Sequence, residues 1–518
     1  MNVSKTLFSG LVGIGMLLGT AGCDGFLDIN TDPDAATAVP GALLFPTVIA
    51  DIGSTRAIEV GPAASSWSQQ WSSNLTNGAF ANPERYNVSR TLINNFWLTN
   101  YTNALKNLGL LIDQSETTTP ARPNEAAQAK ILSAFIYYQT TIVFGDIPFS
   151  EALQPVDFPN PKFDAQRDVL LGIIDLADEG INQIVASDAN KITRGDVIYE
   201  GDLNKWIKFG NSVKLQANML LRGGGENRDA EIDALIANPN LIRTNADNAV
   251  IPFNDQTANP YARLLNLYPF FYNFYFGGKP LVDVMNATED PRRRAFFVLR
   301  YDANRDGPTD NDPATAAPTL AERCSNLSAT PPVYVGAPAG TRVGTFCQTA
   351  YVSKNFAQNN TPERLQTADQ ILLLEAEYLA AKGRLADADA KYRQGIQANF
   401  DYVTARGTPE GSFAAGAGAA YIASLPSLTS LSSTEAYARV VEQEYTALFA
   451  RGIDGWTLVR RTGDVGRINR TLPVGTTETS LIKRIPYPQS EIDSNTNAPT
   501  QTTLTQPMFF MQSSAGNV

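Results

Sequence analysis

The sequence predicts a mainly α-helical fold that includes a tetratricopeptide-like hairpin, with a loop-rich segment set between two helical stretches. Three observations carry that expectation. Apolar residues recur at three- and four-residue steps from about Thr47 to Gly225, and helical order returns from Thr367 to Phe400. Between them, residues 226–360 become rich in Asn, Asp, Pro, Gly and aromatics, with few periodic stretches. In the second helical stretch, Ala376, Leu379, Gly383, Ala388, Tyr392 and Gly395 stand at the spacing of two antiparallel helices, with small residues where they touch and a Gly at the turn. An ordinary helical hairpin is the competing reading of that pattern.

The chain begins with Lys5, an apolar run from Leu7 to Leu18, and the small residues Thr20-Ala21-Gly22 just before Cys23. This layout is that of a secretory signal and resembles a bacterial lipoprotein signal, in which the cysteine becomes the N-terminus and carries lipid. The alternative, a transmembrane helix, needs roughly 20 apolar residues, more than this run supplies. The reading therefore gives a signal over 1–22, a lipidated tether over 23–46, rich in Asp, Pro and Ala, and a single domain over 47–518. That domain divides into a helical scaffold, 47–225 and 361–460, and a loop-rich insert, 226–360. No other long apolar stretch occurs, so lipid is the only membrane anchor expected.

In order along the scaffold, Ile131, Ala134, Phe135, Tyr138 and Ile142 mark one helix face, and Gly145-Asp146 with Pro148 should stop that helix. A second helix follows Asp164. A third begins near Asp202, whose side chain is suited to capping it. Trp206, Phe209 and Val213 share a face of this third helix and are expected in the core. A last helix is expected over Ser433–Arg451, followed by a Pro-rich tail.

The 518 residues carry a formal charge of −11, which falls to about −12 once residues 1–22 are removed. Nucleic acid and anionic lipid surfaces are poor partners for such a chain. The sequence contains no histidine, which removes Ser-His-Asp and Cys-His catalysis and His-ligated metal centres. Catalysis by a carboxylate pair remains open, since Asp and Glu total 52. With Cys23 assigned to lipid, Cys324 and Cys347 are left as a pair; in an oxidising compartment they read as a disulfide, against the alternatives of two free thiols or a zinc site completed by carboxylates. Asp302, Asn304, Asp306 and Gly307 match the start of a calcium-binding loop, and Asp310 and Asp312 add carboxylates. The twelfth position is Pro313, so the loop is an incomplete EF-hand; an acidic turn without metal is the alternative. No cofactor is otherwise expected.

Five blocks extend the reading from elements to a family: FLDINTDPD (26–34), FGDIPFSEAL (144–153), GDLNKWIKFGNSVKL (201–215), EAEYLAAKGRLADADAKYRQGI (375–396), and EYTALFARGIDGWTLVRRTG (444–463) with RIPYPQSEID (484–493). In this order they resemble the SusD/RagB family of nutrient-binding outer-membrane lipoproteins, and more closely its SusD-like branch. The resemblance implies a helical fold with several tetratricopeptide-like hairpins along one flank and loops forming the ligand face. It implies a surface-exposed, lipid-anchored lid on a TonB-dependent SusC-like transporter, which captures oligosaccharides or similar nutrients and is not an enzyme.

A neutral sugar is held by stacking on an aromatic ring while planar polar groups bond its hydroxyls. Two stretches have that composition. Residues 67–97 place Trp67, Gln70, Trp71, Arg85 and Tyr86 around a Gly/Asn/Pro-rich loop, and residues 254–279 hold Tyr261, Tyr268, Tyr272 and Tyr275 among several Phe. The competing reading of each ring is core. Arg460 and Arg461, beside Trp456, are expected in internal salt bridges. Two other functions stay open on the sequence alone: a surface glycoside hydrolase using two carboxylates, and a repeat scaffold that binds only proteins.

Overall fold

A computed structural model of the chain describes residues 41–73, 81–260, 262, 275–299, 334–341, 349–356, 358–406, 412–500 and 503–511. Order starts ahead of the expected boundary: α1 spans Gly41–Ser54, inside the segment read as tether. Leu44, Phe45, Val48, Ile49 and Ile52 are buried, and that apolar stripe outweighs the one backbone bond that Pro46 removes. A π-helical turn, Thr55–Val60, leads into α2 (Gly61–Trp67).

The centre of the scaffold is α3 (Pro123–Phe144), with α4 (Gln166–Gln183) and α5 (Leu203–Gly223) packed beside it and on each other. The expected face of α3 is buried, but so are Leu132, Ile136 and Val143 on its other sides, which makes it an enclosed helix rather than an amphipathic one. The chain leaves α3 at Gly145, whose carbonyl accepts from Thr141 Oγ1 at 2.6 Å. Asp164 then pins the turn, accepting from the backbone N–H groups of Phe149 at 3.0 Å and Ser150 at 2.7 Å. Asp202 caps α5 as expected, accepting from Asn204 N at 3.0 Å and Lys205 N at 3.3 Å, a contribution of about 1 kcal/mol. Trp206, Phe209 and Val213 are fully buried.

The later hairpin is α6 (Ala368–Ala381) and α7 (Leu385–Ala405), tightly packed on each other. Ala376, Leu379, Ala388, Tyr392 and Gly395 lie buried at this contact. A Cβ on Gly395 would stand 2.7 Å from Leu373 Cγ, so the close approach of the helices requires glycine there. α8 (Ser433–Ala447) packs on α6 and opens with a capping box between Ser432 and Glu435. It ends earlier than expected. The apolar pair Leu448–Phe449 continues the stripe beyond the helix, while Ala450 takes a positive φ of 59° and the chain restarts as α9 (Gly452–Thr462).

The insert also carries more order than its composition suggests. Helices Asp229–Ala237 and Lys279–Ala287 lie within it. Short strands run through it, β2 (Ala249–Ile251), β3 (Tyr275–Gly277), β4 (Phe297–Leu299) and β5 (Ala350–Val352), and pair with two from outside it, β1 (Trp71–Ser73) and β6 (Glu363–Gln366). They form an antiparallel sheet in the order β1-β3-β5-β4 and a separate pair, β2-β6. Among the described residues, no helix is long and apolar enough to cross a membrane.

Candidate ligand-binding site

The four-stranded sheet explains where the sequence-predicted site residues go. β1 and β3 pair with Trp71 opposite Gly277 and Ser73 opposite Tyr275. The two ring-rich stretches, far apart in sequence, are therefore strand partners. β1 hands the chain on after Ser73, and β3 receives it at Tyr275, directly across the ladder. Ser73 and Tyr275 thus lie side by side at one end of the sheet. β4 ends at Leu299, opposite Ala350, so the segments carrying the acidic motif and the two cysteines attach at the other end.

Within the described residues, most of the side chains expected at the ligand face are buried. Trp67 is 1% exposed, meets the Trp456 ring at 4.7 Å with the two planes tilted by 58°, and donates its indole N–H to Pro83 O at 2.8 Å. Gln70 is fully buried; its side-chain amide donates to Tyr445 O at 2.6 Å, while its backbone carbonyl accepts from Gly278 N at 2.8 Å. A Cβ on Gly278 would lie 1.9 Å from Gln69 O, which is why glycine stands at this crossing. Tyr86 is buried, and burial pushes its hydroxyl pKa up to about 12. Trp71 and Tyr275 are buried against each other with ring centres 5.0 Å apart, and Trp71 also meets Phe449. These rings face other rings, so the stacking surface that a sugar needs is already taken. Arg85, half-buried, donates to Gly340 O at 3.0 Å. Tyr261, Tyr268 and Tyr272 lie outside the described residues, as do Cys23, Cys324 and Cys347, and Asp302, Asn304, Asp306, Asp310 and Asp312 of the acidic motif.

Composition gave no sign of the buried acid that fixes this end of the sheet. Glu84 accepts from Ser72 Oγ at 2.7 Å and Ser73 N at 3.1 Å. Burial raises its pKa, and the hydrogen bonds from Ser72, Gly340 and Ser73 oppose that rise. Glu84 thereby ties the segment after residue 80 to β1 and to the loop at Gly340.

Beside Trp71 opens a cleft of about 50 Å³, lined in part by Arg56, Asn259, Phe356, Thr361, Glu363 and Arg364. Arg56 donates to Glu363 at 2.9 Å and Asp454 at 3.1 Å. That space has room for about three to five waters. None of these residues was singled out by periodicity or motif, because they are drawn from several elements far apart in sequence.

A carboxylate pair is also present, but it is closed off. Glu377 and Glu444 are hydrogen-bonded to each other in the core, with Arg461 bound to Glu377. Burial and then the charge of Glu377 raise the Glu444 pKa. Burial opposes ionisation of Glu377 as well, but Arg461 outweighs it and holds that group low. The adjoining cavity is about 20 Å³, so no glycosidic bond reaches this pair. Arg461 thus makes the expected internal salt bridge. Arg460 instead lies over the Trp456 ring, 3.5 Å from its centre, and donates to Lys483 O at 3.0 Å. Among the described residues, no cluster of His, Cys, Asp and Glu is arranged to hold a metal ion.

A helical scaffold with hairpins on one flank and loops gathered at a small sheet defines a binding protein of the SusD type. Residues 33–488 match the SusD-like family described as starch-binding and associating with the outer membrane, and the chain belongs to that family. No curated protein matches it in sequence. Solved structures share its fold at low identity. A SusD/RagB family protein from Bacteroides thetaiotaomicron superposes with a TM-score of 0.73 at 19% identity, covering 92% of this chain and 99% of its own. A SusD homolog from Bacteroides fragilis gives 0.66 at 22%, covering 92% and 99%. A chitin-binding SusD homolog from Flavobacterium johnsoniae gives 0.69 at 16%, covering 91% and 98%.

Proposed function

We propose that this protein captures oligosaccharides or similar nutrients at the outer membrane and passes them, uncleaved, to a TonB-dependent SusC-like transporter. The observation that carries the reading is the pairing of β1 with β3, one strand from each ring-rich stretch, in a chain of a starch-binding, outer-membrane-associated family. Tyr261, Tyr268 and Tyr272 supply stacking faces, and Trp67, Gln70, Trp71, Tyr86 and Tyr275 hold the platform beneath them. The chitin-binding SusD homolog from Flavobacterium johnsoniae makes an N-acetylated glycan one ligand to test. Lipid on Cys23 tethers the chain, a Cys324–Cys347 disulfide closes its loop, and calcium at Asp302, Asn304, Asp306 and Asp310 or Asp312 steadies the acidic segment.

Calorimetric titration of the soluble protein against a glycan panel, with chromatography of the recovered ligand, tests this function. Saturable binding with the glycan intact is expected. Release of shorter sugars, or no binding across the panel, contradicts it.

A further inference from the structure

Next to the cleft beside Trp71, Arg364, which lines it, forms an arginine-rich rim with Tyr402 and Arg406. Arg364 lines the cleft, lies over the Tyr402 ring at 4.7 Å and donates to Phe449 O at 2.7 Å. Arg406, one turn beyond Tyr402 at the end of α7, donates to Asn360 O at 3.1 Å and to Thr361 Oγ1 at 3.2 Å. The same Thr361 hydroxyl accepts from Gln358 N at 2.9 Å. Among the described residues neither Arg364 nor Arg406 pairs with a carboxylate. Arg56 and Glu363 neutralise each other deeper in the cleft.

Three polar atoms around this rim are buried with no hydrogen-bond partner: Gln358 Nε2, Tyr402 OH and Arg406 Nε. All three can donate. Buried donors without acceptors are costly, and the cost falls when an acceptor-rich group arrives. Burial, followed by the charge of Arg364, lowers the pKa of Arg406, so a neighbouring anion would relieve both effects. The cleft is narrow and open to solvent, so a substituent of a ligand can reach Arg364 while the body of the ligand stays outside.

We infer that the Arg364–Tyr402–Arg406 rim binds an anionic substituent, a carboxylate or a sulfate, carried by the captured glycan. The site selects acidic oligosaccharides over neutral ones of the same backbone. This rests on the capture function proposed above and adds the ligand's charge class to it. An acidic chain overall does not oppose such binding, because screening confines the interaction to within about 10 Å at ordinary salt.

The test is calorimetric titration of the full soluble chain with three matched oligosaccharides: neutral, uronate-bearing and sulfated. At least one acidic probe should bind roughly tenfold tighter than the neutral one, the range of a charge-assisted hydrogen bond. The better acidic probe tells carboxylate from sulfate, and its advantage should shrink as salt rises. Arg406→Gln should abolish the advantage while neutral binding stays within twofold; Gln358→Ala should reduce it. Thermal melts confirm folding, and Gln358→Ala serves if Arg406→Gln is unfolded. Equal affinity for acidic and neutral probes overturns the inference and leaves capture standing, as does an acidic preference that both folded variants retain. Binding of none of the three overturns capture and inference together.

Discussion

The α6–α7 hairpin and the platform around β1 are both rich in large buried side chains, yet they follow different rules. In the hairpin, each buried position is fixed by its helical spacing, and Gly395 sits where the two helices touch. Around β1, neighbours come from everywhere: Trp67 meets Trp456, Gln70 meets Tyr445, and Trp71 meets Tyr275 and Phe449. The first region is local and periodic; the second is assembled from distant segments. An aromatic residue near a loop was therefore a poor guide to exposure, because the strands that cover it are supplied from elsewhere in the chain.

The largest expected effect falls in the assembled region. Trp67→Ala removes a fully buried ring and its hydrogen bond, and should destabilise the protein by about 3–5 kcal/mol. Denaturant unfolding checks this, and a stable Trp67→Ala variant that loses only glycan binding would return Trp67 to the ligand face. Next comes the periodic region. Gly395→Val forces side chain into the Leu373 contact and should cost about 3 kcal/mol, read as a lower unfolding midpoint. A smaller loss would mean that the hairpin opens easily.

The smallest expected effect, on the order of 1 kcal/mol, concerns the sealed Glu377–Glu444 pair. Glu444 has a raised pKa when folded, so its contribution to stability is complete below the unfolded carboxyl value, near 4.3, and is lost as pH rises through the folded value. Glu377 has a lowered pKa, and its contribution fades instead as pH falls. Glu444→Gln keeps a donor facing Glu377 and has no proton to lose. The variant should therefore gain stability relative to the native chain at pH 8 compared with pH 5, in paired thermal melts. An identical pH profile for both proteins would show that Glu444 is not protonated in the fold.

Much of the scaffold was legible from spacing. The Asp202 cap, the buried face of Trp206, Phe209 and Val213, and the Ala376–Gly395 hairpin all follow from local chemistry. The start of α1 was hidden by Pro46, and the end of α8 by the apolar pair that overruns it. The site was less legible. Composition located the two ring-rich stretches but gave no way to see that Ser73 and Tyr275 are strand partners. Glu84, Arg364 and Arg406 carry no motif, since their roles depend on Ser73, Phe449 and Thr361, which lie 11, 85 and 45 positions away in sequence.

The division between platform and contact is tested most directly by one titration. A glycan that the native protein binds is titrated into the folded Tyr268→Ala/Tyr272→Ala double variant. The account predicts at least a tenfold loss of affinity, in the range of one lost stacking contact, with a melting temperature that stays unchanged. Native affinity in that variant would contradict it.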